Sequence, residues 1–183
     1  MIRMSTFDFS HATRIGNPKM LLASWGYGAS TQIGTANRVF LCSLWVPKNC
    51  VIDEINIQCS TASAGKSFRI GLYGPDTSNT PADLPLLTES GNIAAAVGVI
   101  RYTATLSLQR GLYWLALSTE DATMAFLRQG SYTFFTAGIA PMLEGCYYGL
   151  GGWGAFTNPC PAVTILTTAR VACAIHIQSW NEL

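Results

Sequence analysis

A chain of 183 residues is long enough for one domain with a full core. Charged residues make up 11% of it and hydrophobic residues 49%, against about 25% charge in ordinary soluble domains. The net charge of +1 offers no electrostatic case for nucleic acid or an anionic membrane as partner. So little charge predicts that much of the surface is covered by other copies or by another protein.

No apolar run approaches the roughly 20 residues needed to span a bilayer. The opening Met1-Ile2-Arg3-Met4-Ser5-Thr6-Phe7-Asp8-Phe9 lacks the long apolar core of a signal peptide, so a chain made and folded in a cytoplasm is expected. Residues 1–37 are rich in Gly, Ser, Thr and Asn, with Trp25-Gly26-Tyr27-Gly28 in their midst and no sustained periodicity. They read as an extended arm or a set of long loops. The apolar residues Ile15, Met20, Leu21, Leu22 and Trp25 predict that this arm packs on something.

From Arg38 the strand signals are dense. Residues 39–46 are a continuous apolar run closed by Pro47-Lys48-Asn49, and from Ile55 the next run alternates apolar and polar through Cys59. Residues 60–66 form a turn. Residues 67–73 form a short aromatic strand holding Arg69-Ile70-Gly71-Leu72-Tyr73. A loop over 74–83 is expected from Gly74, Pro75 and Pro81. A short strand falls within 84–93, a longer one over 99–108, and Gln109-Arg110-Gly111 turns into a strand over 112–118. This last strand belongs to Arg110-Gly111-Leu112-Tyr113-Trp114, a near-copy of the phrase at Arg69. Residues 132–161 read as loops rich in Gly and aromatics, and one or two closing strands follow over 163–180.

About eight short strands with turns between them, and no convincing helix, predict an all-β fold. The expectation is an antiparallel jelly-roll-like β-sandwich over residues 38–183, with the extended N-terminal arm over 1–37. An immunoglobulin-like topology fits the same strand count. The two similar phrases are expected to be two core strands of one sandwich. Of the six cysteines, Cys42, Cys59 and Cys173 sit in strand-like runs, and buried free thiols are expected rather than disulfides.

The segment from Arg38 resembles a β-sandwich segment of many tailed-bacteriophage virion proteins. There an apolar strand ends near Pro, followed by alternating Ile/Val, a small-residue turn, Arg-x-Gly-hydrophobic-Tyr, an Asp/Gly/Pro loop, a Leu-Leu turn and Pro-Gly-Leu-Tyr-Trp-Leu-Ala. The corresponding residues here are Trp45-Val46-Pro47, 52–57, Thr61-Ala62-Ser63-Ala64-Gly65, Arg69-Ile70-Gly71-Leu72-Tyr73, 81–90 and Gly111-Leu112-Tyr113-Trp114-Leu115-Ala116. The likeness covers roughly residues 38–130, and Arg110 stands where the pattern has Pro. It implies a structural protein of the virion, as head decoration or tail fibre, that forms a homo-oligomer, most often a trimer, and contacts other virion proteins.

Nothing in the residues demands catalysis, a metal or a cofactor, and no enzyme activity is expected. Ala64-Gly65-Lys66-Ser67 lacks the upstream Gly of a phosphate loop and runs into a strand instead of a helix. His176 alternates with Ile175 and Ile177 and so faces away from them. Asp53 and Glu54, adjacent on a strand, are expected on opposite faces, which denies them a paired catalytic role. Asp76, Asn79 and Asp83 suit loop capping better than a Ca²⁺ ion. The strongest functional signal is the set of aromatics in Gly-rich stretches: Trp25, Tyr27, Tyr147, Tyr148, Trp153 and Phe156. Flat rings anchor protein interfaces and also stack on sugars. The expected use is attachment through the arm and oligomer interfaces. The alternative is a carbohydrate-binding receptor-recognition module at a fibre tip, touching host surface glycan.

Overall fold

The computed structural model describes residues 20–22, 31–33, 36–46, 48–78, 80–127, 145–165 and 173–180. These residues are all-β, in two antiparallel sheets that form a β-sandwich. The strands are β1 (Met20–Leu22), β2 (Thr31–Ile33), β3 (Arg38–Val46), β4 (Cys50–Thr61), β5 (Ser67–Asp76), β6 (Leu86–Glu89) and β7 (Ile93–Ala94). After them come β8 (Gly98–Leu108), β9 (Gly111–Thr119), β10 (Ala125–Leu127), β11 (Gly145–Gly149), β12 (Thr164–Ile165) and β13 (Cys173–Trp180).

One sheet is built on β4. Strand β8 lies along one side of β4, and β13 and then β10 lie along the other, with β1 outside β13 and β2 outside β10. The second sheet runs β12-β11-β3-β9-β5-β6, with β7 beside β6 on β5. Four successive pairings, β2 with β10, β3 with β9, β4 with β8, and β5 with β6 and β7, alternate between the sheets. The chain thus behaves as one antiparallel ribbon folded back and forth across the sandwich.

Alternation along the strands explains the core. Cys42, Leu44 and Val46 of β3, Phe68, Ile70 and Leu72 of β5, and Tyr113, Leu115 and Leu117 of β9 meet Ile52, Ile55 and Ile57 of β4 and Ile175 and Ile177 of β13. Each fully buried Leu or Ile there contributes about 1.5–3 kcal/mol. The expected strands of the segment that begins at Arg38 are all present, and the two similar phrases lie side by side, with Gly71 opposite Ala116 and Tyr73 opposite Trp114.

Three local expectations are corrected. The loop expected from residue 74 starts later, because β5 passes through a cis Gly74-Pro75 bond and ends at Asp76. Gly74 takes φ +138, and a Cβ there would stand 2.7 Å from the Tyr113 ring, so only glycine fits. Part of the expected loop over 132–161 is strand β11, which adds Tyr147 and Tyr148 to β3. Asp53 and Glu54 do not face opposite ways. The ladder slips between Ile52 and Glu54, and opposite the His176-Ile177 step β4 spends one extra residue, Asp53. Both carboxylates thereby reach the outer face, Asp53 to His176 and Glu54 to Asn56.

Two pieces of the expected N-terminal arm, β1 and β2, pair with β13 and β10 of the same chain and complete the first sheet. Trp25 and Tyr27 lie outside the described residues.

Candidate functional site

Most of β3, β5 and β9 in the second sheet is buried on both faces. The sheet's outer face carries Val39, Leu41, Tyr73, Leu112, Trp114 and Ala116, over which Tyr148, Leu150, Phe156, Cys160 and Val163 pack. The Gly-rich segment after β11 is therefore a cover laid on the sheet. Burial on both sides is what the unbroken apolar runs of β3 and β9 require.

Hydrogen bonds lock this cover down. Tyr73 Oη donates to Thr157 O at 2.7 Å, so the 2.7 Å contact with Tyr148 runs from Tyr148 Oη to Tyr73 Oη. The ring closes where Thr157 N donates to Tyr148 Oη at 3.3 Å. Burial pushes both phenols above their ordinary range, so they stay neutral and serve as structural donors and acceptors. Trp114 Nε1 donates to Asp76 Oδ2 at 2.7 Å, while Asp76 Oδ1 accepts from the Ser78 backbone at 2.7 Å. Asp76 thus caps a loop, the role expected from sequence.

At the margin of the cover, Arg69 donates from Nη1 to Glu89 Oε1 and from Nε to Asn92 Oδ1 at 2.7 Å. Glu89 Oε1 also accepts from the Phe156 backbone at 3.0 Å. The Arg69 guanidinium stands 5.8 Å from the Trp153 ring centroid. Glu89 therefore ties β6, β5 and the cover together.

The six aromatic candidates thus part company. Tyr148 and Phe156 are buried and hold the cover in place, so they offer no exposed stacking face. Tyr147 and Trp153 are half-buried, each with an arginine over its ring, Arg38 at 4.6 Å and Arg69 at 5.8 Å. Trp25 and Tyr27 lie outside the described residues. Sequence reasoning missed Trp45, 46% exposed on the outer face at the end of β3 with Arg110 at 6.0 Å from its ring. The signal was the alternation of β3 itself, which sets Trp45 on the face of Val39 and Leu41. Arg110, where the resembled pattern has Pro, supplies the cation to that ring.

His176 and Lys66, two polar residues of interest in the sequence, have structural partners. His176 faces outward as expected and meets Asp53 Oδ1 with Nδ1 at 2.5 Å. Lys66, of the Gly65-Lys66-Ser67 turn, pairs with Glu120 at 3.3 Å, and β5 follows it directly. Among the described residues no three or more His, Cys, Asp or Glu come together as a metal site.

Cys50, Cys59 and Cys160 are buried free thiols. Burial pushes Cys50 up to about 11 and Cys160 up to about 12, and raises Cys59 too, so none is a thiolate nucleophile near neutral pH. These thiols hold their protons more tightly folded than unfolded. Their contribution to stability is complete below the ordinary thiol value of 9.0 and is lost as pH climbs from there towards 11–12. The urea midpoint at about pH 10 is expected below that at about pH 7. Equal midpoints would show that these thiols titrate as exposed ones do.

No protein-family model matches the chain, and no curated protein matches it either.

Proposed function

We propose that this chain is a non-enzymatic structural subunit of a tailed-phage virion, a surface-decoration or fibre protein that assembles with its own copies and with other virion proteins. The observation that carries the reading is the union of its most phage-like phrases into one structural unit. Arg69-Ile70-Gly71-Leu72-Tyr73 and Gly111-Leu112-Tyr113-Trp114-Leu115-Ala116 form neighbouring strands β5 and β9. Tyr73 bonds the cover at Thr157, Trp114 packs under it, and Arg69 holds Glu89, which accepts from the Phe156 backbone. A jelly-roll scaffold is supported by the strand orders β2-β10-β4-β8 and β3-β9-β5-β6, which follow from an eight-strand ribbon in two Greek keys. The ion pairs and buried phenols act as fasteners, in keeping with a protein selected for cohesion.

The residues ahead of β1 are the proposed attachment element. Deleting residues 1–19 spares β1 and β2, so the sandwich keeps its strands. The shortened protein is expected to give an unchanged circular dichroism spectrum and to vanish from purified particles. Undiminished incorporation would remove the attachment role. Glycan-array binding abolished by Trp153→Ala, with the fold intact, would instead point to a receptor-recognition tip.

A further inference from the structure

We propose that strand β8 is the edge through which this chain pairs with a second copy of itself, a contact that rests on the homo-oligomer reading above and gives it a place. Among the described residues, the other sheet margins end in short strands: β1 and β2 of three residues, β12 of two, and β6 and β7 of four and two. Short edges are one way a sheet avoids unwanted pairing. Strand β8 has 11 residues and bonds to β4 along one side. On its other side no described strand pairs with it.

The composition of β8 does little to repel a partner. It contains no proline and no lysine, and Arg101 is its one charged residue. Two of the three exposed large hydrophobics among the described residues stand at its start, Val97 at 70% and Val99 at 61%. The ladder irregularity falls between Thr103 and Leu106, which leaves 98–103 as a regular half with no described strand on its outer side.

The occupant follows from what is missing elsewhere. A head-to-tail contact would need a second long bare edge to offer, and the described residues present none comparable. The matching edge is β8 itself, and two copies related by a two-fold axis extend one antiparallel sheet across the pair. Side chains directly opposite must share a face, so the register that places Arg101 against Arg101 is disfavoured by like charge. Shifting by one step of the pairing sets Ile100 on the axis, Val99 against Arg101 of the second copy, and Val97 against Thr103. A three-fold arrangement of the kind the resemblance implies would need a further contact elsewhere.

Sedimentation of the full chain over about 1–100 µM tests this, since the paired residues, 97–103 of each copy, form a small interface. The wild type is expected to reach the mass of two chains or a multiple of two. Val99→Lys places a cation opposite Arg101 and is expected to weaken association at least about tenfold. Adding Arg101→Glu restores an opposite-charge pair, and the double variant is expected to recover association. Both positions are exposed, so the fold is retained. A wild type that stays monomeric overturns the homo-oligomer reading itself. A wild-type assembly that Val99→Lys leaves intact, or that the double variant fails to restore, overturns the β8 contact alone.

Discussion

Trp114→Ala is expected to cost about 4–6 kcal/mol, enough to unfold a domain whose whole stability lies at about 5–15 kcal/mol. Two losses add up to that figure. The indole is completely buried in the apolar layer between the second sheet and its cover, and removing a buried Trp costs about 3–5 kcal/mol by lost burial and cavity formation. Asp76, itself buried, then loses the indole N–H at Oδ2, which adds about 1–3 kcal/mol for an unsatisfied acceptor. The Asp76-Ser78 cap survives, so the second loss belongs at the low end. Trp114→Phe separates the two in large part, because it keeps a buried six-membered ring and removes the donor with the smaller part of the indole. It should cost about 1–3 kcal/mol, read as a shift in the urea midpoint. A Trp114→Ala variant as stable as Trp114→Phe would mean that the outer layer is not a packed core.

That layer marks how far the sequence could be read. Strands β3, β4, β5, β8, β9 and β13 were legible because alternation or an unbroken apolar run survives in each, and one face of every strand has to meet the other sheet. The same runs carried a further message, that β3 and β9 are buried on both faces. They could not say by what. The cover, residues 148–163, is made of Gly, Pro and aromatics without a period, and its place is fixed by contacts distant in sequence, such as Tyr73 with Thr157 and Glu89 with Phe156. Aromatics in such a segment resemble an exposed binding surface, yet Tyr148 and Phe156 are fasteners. The slip that puts Asp53 beside His176 was equally hidden, since a one-residue bulge leaves no composition signal. His176 itself was legible, because its isoleucine neighbours fix the parity of β13 on the core side.

Gly71→Val separates two forces that act in opposite directions. Gly71 lies inside strand β5, where strand propensity alone favours valine over glycine by up to about 1 kcal/mol. Packing says otherwise. A Cβ at position 71 would stand 2.7 Å from Phe156 Cδ2 and Cε2 and 3.0 Å from the Thr88 carbonyl. The ring is buried and the carbonyl belongs to the neighbouring strand β6, so neither yields cheaply. Overpacking of this kind costs about 1–3 kcal/mol for a single added group, and valine adds three carbons. Packing outweighs propensity, and Gly71→Val is expected to lose at least about 2 kcal/mol. Gly71→Ala, with the one clashing carbon, should also be destabilising, by about 1–2 kcal/mol. The decisive measurement is a double-mutant cycle with Phe156→Ala, which alone costs about 3–5 kcal/mol. Once the ring is gone, the methyl at position 71 meets only the Thr88 carbonyl and refills part of the space. The double variant is therefore expected to be more stable than the sum of the single losses predicts, by about 1–2 kcal/mol. Additive losses would mean that Phe156 does not sit on Gly71. The glycine shared by Arg69-Ile70-Gly71-Leu72-Tyr73 and the resembled pattern would then need another explanation than a seat for the cover.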